Sequence, residues 1–299
     1  MNSFFVFTAF NEKYKIMGAT LISSIWENNP SDITICILDL GLKLKSKSRI
    51  LKWANFKKRS IKFFSINSDL YYKFFGKSII LPCEIEYYSR LLIPYLSSNV
   101  EKVLYLDADI ICNKNFVSLF DIDLGDNVIA AVQDSNFDRF SSTINKSRQV
   151  SIISNFKELG FIGNEKYFNS GVLLLNSQKW IAADVSRKVL EIAYKYSSYI
   201  FLWDQYSLNI FFSNSWSQLS KEFNETNSID KRTTIFRHFT KVKPTSYKYS
   251  LSDLSEFYHY LDKTPWSKWR PNKYTEIYLL VFKKFKLFIY NKLKSNHKC

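Results

Sequence analysis

The stretch that decides the fold is Val103-Leu104-Tyr105-Leu106-Asp107-Ala108-Asp109-Ile110-Ile111. Its apolar and β-branched residues predict a buried strand, yet two carboxylates stand near its end. Side chains two residues apart project from the same side of an extended chain, so Asp107 and Asp109 can converge on one hard divalent cation. The alternative is a strand that ends in a solvated acidic turn, which is common for an isolated Asp-x-Asp.

Strand and helix patterns alternate on both sides of this stretch. Strands are predicted where β-branched and aromatic residues cluster, and helices where apolar residues recur every three or four positions. The predicted strands cover residues 4–9, 33–40, 61–66, 103–111, 128–132, 167–176 and 235–239. The predicted helices cover residues 17–27, 45–58, 85–94, 185–196 and 254–261, and one more begins at Trp203. This alternation indicates an α/β fold with a mainly parallel sheet.

Composition and charge limit the class of protein. The 299 residues are 46% hydrophobic, which is enough for a large core and argues against disorder. The formal net charge of +15 predicts a polyanionic partner, which could be nucleic acid, anionic lipid or a phosphorylated substrate. Residues 268–298 alone hold nine Lys or Arg residues and one acid, Glu276. The chain contains neither a glycine-rich dinucleotide motif nor a P-loop motif.

The cysteines and the N-terminus bear on the cellular compartment. Cys36, Cys83, Cys112 and Cys299 form no Cys-x-x-Cys pair, and two of them lie in predicted buried strands, which favours a reducing environment. Residues 4–7 are apolar but follow no basic segment, so they predict a first strand rather than a signal peptide. No apolar run is long enough to cross a bilayer. We therefore expect a cytoplasmic protein, with or without peripheral membrane attachment.

Several polar residues lie where predicted elements begin or end, and each has two interpretations. The turn at 11–14 could hold a nucleobase by stacking and amide hydrogen bonds, or it is an ordinary surface loop. Arg90 is either buried against an anion or carboxylate, or solvated, which is the commoner case. The small residues at 169–171 could let backbone approach a ligand, or they form a plain turn. Asp204 is a site residue or a helix N-cap, and His238 is a ligand or a structural histidine.

Taken together, these residues resemble the motifs of glycosyltransferase family 8, the retaining GT-A enzymes that include bacterial lipopolysaccharide galactosyl- and glucosyltransferases. The Asp-x-Asp motif alone is weak, but five motifs occur in family order, and with a later histidine they span about 240 residues. The motifs are Asn11-Glu12-Lys13-Tyr14, Tyr88-x-Arg90, Tyr105-Leu106-Asp107-Ala108-Asp109, Phe168-Asn169-Ser170-Gly171-Val172-Leu173-Leu174-x-Asn176 and Asp204-Gln205, and the histidine is His238. The resemblance implies a GT-A fold, Rossmann-like and mainly parallel, with a short basic helical appendage.

The resemblance also implies cofactors and site residues. The cofactor would be Mn²⁺, or Mg²⁺, bridging the diphosphate of UDP-galactose or UDP-glucose. The implied metal ligands are Asp107, Asp109 and His238. The implied nucleotide-binding residues are Asn11 and Tyr14 at the uracil, with Asp107, Ala108, Asp109 and Lys243 at the diphosphate. The implied catalytic residues are Arg90, Asp134, Asn169 and Asp204 at the sugar hydroxyls, with Gln205 where a nucleophile would be expected.

The chain departs from the family pattern at three places. Asn11 stands where the nucleotide turn commonly has Asp, which keeps an acceptor and adds a donor. Tyr206 follows Gln205 where many relatives have another Asp, so no second carboxylate assists the glutamine. Because an amide is a poor nucleophile, front-side attack through an oxocarbenium-like state is expected. The phosphate loop at 238–245 is one residue short and lacks the usual Gly and Trp, although Lys243 could still reach phosphate.

The end of the chain differs in character from the rest. We expect a GT-A catalytic domain over residues 1–250 and a helical, basic and aromatic region over 251–299 that contacts membrane or acceptor. Residues 264–268 (Thr-Pro-Trp-Ser-Lys) resemble the Ser-Pro-Trp-Lys segment of the lipopolysaccharide subgroup. In residues 274–293, aromatic and apolar residues recur at three and four positions with lysines between them, which is typical of an interfacial helix on anionic lipid. The alternative is a helix packed on the catalytic domain.

These inferences lead to one expected function and to rivals. We expect a Mn²⁺-dependent hexosyltransferase that moves galactose or glucose from UDP to a lipid-linked saccharide such as lipopolysaccharide core, with retained configuration. It would work at the anionic cytoplasmic face of the bacterial inner membrane. One rival is a protein (adhesin) glycosyltransferase, and another is a catalytically impaired sugar-nucleotide-binding module. A nucleic-acid partner is not expected, because the chain carries no recognition motif for one.

Overall fold

The computed structural model describes residues 4–82, 85–145, 150–226, 232–246 and 254–273. The strands are β1 (Phe4–Phe10), β2 (Ile33–Asp39), β3 (Ser60–Ser65), β4 (Lys102–Leu106), β5 (Ile110–Cys112), β6 (Ile129–Gln133), β7 (Thr143–Asn145), β8 (Val150–Ser151), β9 (Phe168–Asn176), β10 (Ser217–Leu219) and β11 (Phe236–His238). The α-helices are α1 (Lys15–Asn28), α2 (Leu44–Phe56), α3 (Ser68–Phe75), α4 (Ile93–Leu96), α5 (Ser177–Ala182), α6 (Val185–Lys195), α7 (Trp203–Phe212) and α8 (Ser255–Leu261). Short 3-10 helices cover Ile85–Leu92, Val117–Asp121, Ser197–Tyr199 and Lys221–Phe223.

A seven-stranded sheet with the order β10-β6-β9-β4-β1-β2-β3 forms the centre of the molecule. Strand β1 pairs in parallel with β2 and β4, β2 with β3, and β10 with β6. Strand β9 alone among the strands of this sheet runs antiparallel to its neighbours, β4 and β6. All seven residues of β2 are buried, as expected for a parallel strand covered by helices on both faces. The predicted mainly parallel α/β fold is confirmed.

Helices cover the two faces of this sheet in separate layers. One layer holds α1, α2 and α8, whose apolar residues pack with sheet residues such as Val6 and Leu104. The other layer holds α5, α6 and α7, which pack against the opposite side chains, such as Phe7 and Tyr105. Helix α1 crosses β1 closely because Gly18 has no side chain: a Cβ there would lie 2.5 Å from the Phe10 ring.

The sequence predicted one continuous strand over 103–111, but the structure divides this stretch into two strands. Strand β4 ends at Leu106, and the backbone N–H of Ile110 donates to the carbonyl of Asp107 at 3.2 Å, which closes a turn before β5 begins. Strand β5 leaves the main sheet and pairs antiparallel with β11, so that Ile110 lies opposite His238. A turn, rather than the pleat of an extended strand, therefore brings the two carboxylates together.

The last described residues pack on the body of the protein. The hydroxyl of Tyr260 accepts a hydrogen bond from Asn28 Nδ2 at 3.0 Å, and Glu27 of α1 forms ion pairs with His259 and Lys263. The helix predicted at 254–261 is thus present as α8, in contact with α1. The interfacial helix predicted at 274–293 lies outside the described residues. None of the described helices is both long enough and apolar enough to span a bilayer.

Candidate active site

Two carboxylates and one imidazole converge at the carboxyl end of β4. His238 Nε2 lies 3.3 Å from Asp109 Oδ1 and 3.7 Å from Asp107 Oδ2. One ligand atom from each of the three residues can be chosen so that all lie within 4.8 Å of one another. The pairing of β11 with β5 determines this arrangement, since Phe239 also donates its backbone N–H to the carbonyl of Asp109. Two hard oxygen ligands and a nitrogen ligand suit Mn²⁺ well.

The imidazole of His238 is oriented by a neighbour on its far side. Its Nδ1 lies 2.9 Å from Asn224 Oδ1, so Nε2 is the nitrogen directed at the two carboxylates. Metal-binding histidines are commonly held in this way by an outer hydrogen bond. The donor set and its orientation therefore fit a divalent cation.

A positive charge completes the surroundings of Asp109. Lys243 Nζ forms a short ion pair with Asp109 Oδ2 and donates to the carbonyl of Phe239 at 2.8 Å. Burial acts to raise the pKa of Asp109, but the charges and hydrogen bonds of His238 and Lys243 lower it well below its usual range. The carboxylate is thus ionised over the whole physiological pH range and available to a cation.

An irregularity in β9 makes room for the histidine. Between β6 and β9 the pairing jumps from Ala131 with Leu173 to Val132 with Asn169, so residues 170–172 bulge out of the ladder. The backbone carbonyl of Gly171 accepts from the N–H of Asp107 at 2.8 Å. A Cβ on Gly171 would lie 2.3 Å from His238 Cε1 and 2.9 Å from Asp107 Oδ2. Only glycine lets this backbone approach the cluster so closely.

Arg90 is buried and links the cluster to α7. Its Nε lies 2.5 Å from Asp204 Oδ2, its NH2 donates to Asp107 Oδ1 at 3.3 Å, and its guanidinium stacks over the Tyr105 ring at 4.4 Å. Burial acts to lower the pKa of Arg90, but these negative groups raise it above its usual value. Burial raises the pKa of Asp204 to about 7, although Arg90 acts in the opposite direction. Arg90 is therefore a fixed, permanent charge rather than a solvated one.

Gln205 is buried, with hydrogen bonds at both ends of its side-chain amide. Its Oε1 accepts from the backbone N–H of Ser170 at 2.9 Å and from the Ser170 hydroxyl at 3.2 Å. Its Nε2 donates to the hydroxyl of Tyr167 at 3.2 Å. Both ends of the amide are thus held in one orientation.

A second hydrogen-bonded group lies beside the bulge. Asn169 Nδ2 donates to Asp134 Oδ2 at 3.0 Å, and Asn169 Oδ1 accepts from Asn224 Nδ2 at 2.9 Å. Because Asn224 also contacts His238, a continuous chain of buried polar side chains runs from Asp134 to the histidine. Such a network holds its members in one geometry.

A cavity of about 440 Å³ opens in front of the cluster. Seven of the residues singled out in the sequence line it, namely Asn11, Tyr14, Arg90, Asp107, Ala108, Asp109 and Lys243. Asn11 also shapes the turn at 11–14, since its Oδ1 accepts from the backbone N–H groups of Lys13 and Tyr14. The remaining predicted residues, Asp134, Asn169, Asp204, Gln205 and His238, are buried and absent from the cavity wall.

Residues 5–270 match the sequence model of Glycosyl transferase family 8. The chain belongs to this family. The resemblance noted in the sequence motifs is thereby confirmed over most of the chain.

Individual family 8 relatives are similar over much of this chain. The lipopolysaccharide 1,2-glucosyltransferase of Escherichia coli is 29% identical over 263 residues, which cover 87% of this chain and 72% of the relative. The lipopolysaccharide 1,3-galactosyltransferase of Salmonella typhimurium is 29% identical over 187 residues, covering 61% and 49%. Alignments with three further curated relatives, from Haemophilus influenzae and Streptococcus pneumoniae, span only 39% to 59% of those relatives' lengths.

A solved structure shares the fold of this family 8 chain. The galactosyltransferase LgtC, in complex with donor and acceptor sugar analogs, superposes with a TM-score of 0.67 and 21% sequence identity. The match covers 87% of this chain and 96% of LgtC. The likeness establishes the GT-A architecture predicted from the sequence.

Some residues of this family 8 site have no signal in the sequence analysis. Asn224 lies in a segment without periodicity, and only the tertiary structure brings it to His238 and Asn169. Tyr105 belongs to the Asp-x-Asp motif, and the structure adds that its hydroxyl donates to Asp107 Oδ1 at 2.7 Å. The residues alone favoured a solvated Arg90, and this prediction is wrong because the side chain is buried.

Proposed function

We propose that this family 8 chain moves a hexose, galactose or glucose, from a UDP-sugar to a saccharide on a lipid carrier such as lipopolysaccharide core, with retained configuration. The main support for this proposal is that Asp107, Asp109 and His238 converge beside a cavity that Lys243 also lines. The named activities of the Escherichia coli and Salmonella relatives support the donor and acceptor classes. A site where fixed cations face a cavity of nucleotide-sugar size favours a transferase over a purely structural role.

Mn²⁺ is the proposed cofactor, held by the two aspartates and the histidine. When bound, it would supply Lewis-acid stabilisation to the departing diphosphate. Lys243 supports this role from the protein side, because its ammonium group lies at the same edge and can transfer from Asp109 to a phosphate oxygen. The shortened phosphate loop thus keeps the positive charge of Lys243 at the cavity, which argues against the alternative that the chain is a catalytically impaired sugar-nucleotide-binding module.

The remaining wall of the cavity is proposed to bind the donor. Tyr14 is half-buried and lines the cavity with Asn11, which suits stacking and hydrogen bonding to uracil. Arg90 lines the cavity and is held by Asp204 behind it, so it can orient sugar hydroxyls, and the buried pair of Asp134 with Asn169 is proposed to support the sugar from behind the wall. Rigid positioning of this kind lowers the entropic part of the barrier.

Gln205 is proposed to position the substrate rather than attack it. An attacking amide would need a free carbonyl oxygen, and Gln205 Oε1 already accepts two hydrogen bonds from Ser170. No second carboxylate follows it in the sequence, since Tyr206 is the next residue and donates to Asn155. Front-side attack by the acceptor hydroxyl, with departure of UDP on the same face, is therefore favoured.

The acceptor is proposed to enter past an exposed aromatic pair. Tyr87 lines the cavity and stacks on Trp203, with ring centroids 4.5 Å apart and planes 6° from parallel. Both rings remain exposed, at 49% and 38%, and Trp203 has a φ of 44°, which is strained for a residue with a side chain. Exposed rings at the mouth of a polar cavity suit the apolar face of a sugar ring.

The part of the chain after residue 250 is proposed to contribute acceptor or membrane contacts at the cytoplasmic face of the bacterial inner membrane. Helix α8 packs on α1, and the strongly basic sequence beyond residue 273 supports contact with an anionic surface.

The proposal is tested by incubating the full chain with UDP-galactose or UDP-glucose, Mn²⁺ and detergent-solubilised lipooligosaccharide, with a protein acceptor in a parallel reaction. We expect UDP and the saccharide product to form in equal amounts over time. A chelator should abolish both, and added Mn²⁺ should restore them. Transfer to protein alone would favour the adhesin glycosyltransferase. UDP-sugar binding without any turnover would favour the impaired module.

A further inference from the structure

The segment around α2 carries an unusual concentration of positive charge. Residues 41–68 contain nine Lys or Arg residues and no Asp or Glu. This charge lies in the described part of the molecule and is separate from the basic residues beyond 273. Neither the donor cavity nor the metal cluster uses it.

One side of α2 is buried and the other combines apolar with basic residues. Ile50, Trp53 and Ala54 pack into the core. On the opposite side Leu44 is 81% exposed, Leu51 41% and Phe56 81%. Among these stand the exposed Lys45, Arg49 and Lys52. These six residues, Leu44, Lys45, Arg49, Leu51, Lys52 and Phe56, are called the α2 outer face.

The charges of the α2 outer face are available to a partner. Nearby cations are already engaged, since Lys47 pairs with Asp39 at 2.8 Å and Arg59 donates to the carbonyl of Pro30 at 2.6 Å. Within the described ranges, by contrast, Lys45, Arg49 and Lys52 form no ion pair with a carboxylate. Their mutual repulsion would be relieved by an anionic surface.

We propose that the α2 outer face lies on the surface of an anionic lipid bilayer. Leucine and phenylalanine side chains interspersed with lysine and arginine are the composition of an interfacial helix, whose apolar groups enter the headgroup region while its cations meet lipid phosphates. A nucleic acid would satisfy the cations but would leave Leu44 and Leu51 in water. The apolar residues therefore favour lipid.

The position of α2 connects this surface to the site. Leu40 lines the donor cavity, and α2 begins four residues later. Glu12 of the nucleotide turn ties the start of the helix down, because it accepts from the backbone N–H of Lys43 at 3.1 Å and from the Ser46 hydroxyl at 3.0 Å. A bilayer against α2 would thus lie beside the turn at 11–14, at the edge of the donor cavity that Leu40 lines.

Helix α2 also shares its layer with the helix that leads to the basic end of the chain. Trp53 of α2 packs on Trp26 of α1 with centroids 4.4 Å apart, and α8 packs on the same α1. Helices α1, α2 and α8 therefore belong to one layer, which carries the α2 outer face.

The test measures partition of the full chain onto phosphatidylcholine vesicles with and without phosphatidylglycerol. The variant Lys45→Gln/Arg49→Gln/Lys52→Gln removes three charges, each worth about fivefold in partition, so we expect a loss of about 100-fold on the anionic vesicles. The matched control is Arg187→Gln/Lys188→Gln/Lys195→Gln on α6, which removes the same charge from the opposite layer. The control should change partition by less than about threefold.

A second variant, Leu44→Ser/Phe56→Ser, tests the apolar residues of the α2 outer face. It should lose the vesicle binding that the wild type retains at high salt. Equal losses for the α2 and α6 charge variants, or no vesicle binding by the full chain, would overturn the proposal. Binding to RNA or duplex DNA that depends on the three cations, without vesicle binding, would also overturn it. UDP-sugar hydrolysis in solution, measured on the same variants, reports the proposed transferase activity separately, because α2 contributes no cluster residue.

Discussion

Replacing Gly171 by Ala tests how closely the metal cluster is packed. The added Cβ would lie 2.3 Å from His238 Cε1, whereas carbon atoms normally approach no closer than about 3.5 Å. The backbone cannot retreat easily, because Gly171 lies in the central strand β9 and accepts from Asp107. The imidazole must therefore move by about 1 Å, which also breaks its hydrogen bond with Asn224.

We expect this movement to weaken Mn²⁺ binding by about 10- to 100-fold, the range seen when the support of a metal ligand is lost. A 100-fold loss corresponds to about 2.7 kcal/mol of binding free energy. Crowding in the core should in addition lower the free energy of unfolding by about 1–3 kcal/mol. Calorimetric titration with Mn²⁺ in the presence of UDP measures the first effect, and urea unfolding measures the second.

Gly160→Ala is the matched control. Gly160 has a φ of 81° and nothing within 4 Å of its added Cβ, so the variant should lose stability through backbone strain while keeping Mn²⁺ affinity. In a His238→Ala background, where the clashing ring is gone, Gly171→Ala should lower the free energy of unfolding by less than in the wild type, because only the contact with Asp107 Oδ2 at 2.9 Å remains crowded. A folded Gly171→Ala protein with wild-type Mn²⁺ affinity, or full additivity with His238→Ala, would refute the reasoning.

Four further predictions concern neighbouring residues. Asp107→Ala and Asp109→Ala should each abolish sugar transfer and Mn²⁺-dependent UDP binding while the thermal melt stays cooperative; near-normal turnover by either would remove the metal assignment. Gln205→Ala should turn over slowly with retained configuration by NMR of the product, whereas a sugar trapped covalently on Gln205 in the wild type would contradict front-side attack. Trp203→Ala should raise the acceptor KM several-fold and leave the donor KM unchanged, and an effect on donor alone would exclude the aromatic pair from acceptor binding. The pKa of Asp204 is raised to about 7 from an unfolded value near 3.9, so between these pH values the folded state holds an extra proton. The free energy of unfolding should therefore fall as the pH rises through this interval, by up to about 1.4 kcal/mol per pH unit. Asp204→Asn should remove this slope in urea melts, and an unchanged slope would assign it to another group.

The sequence by itself determined the features that depend on neighbouring residues. The alternation of strand and helix, the buried β2 and the amphipathic α6 all follow from apolar periodicity, which acts over a few residues. The family motifs likewise lie in short local segments. The chain could therefore be assigned to its fold class, and its candidate metal ligands could be listed, before any distance was known.

Direction and burial were decided only by the tertiary structure. An apolar run such as Val172-Leu173-Leu174-Leu175 has no preferred direction, so β9 could not be recognised as antiparallel until its partners β4 and β6 were known. Arg90 was expected in solvent on residue statistics, yet Asp204, more than one hundred positions later, pairs with it inside the protein.

The geometry of the candidate metal ligands has the same origin. Asp107 and Asp109 meet at a turn rather than along a strand, and His238 reaches them only because β11 pairs with β5. Asn224 and Gly171, which orient and admit the imidazole, come from two further segments of the chain. Contacts between residues so distant in sequence depend on the packing of the whole core, which no local pattern encodes.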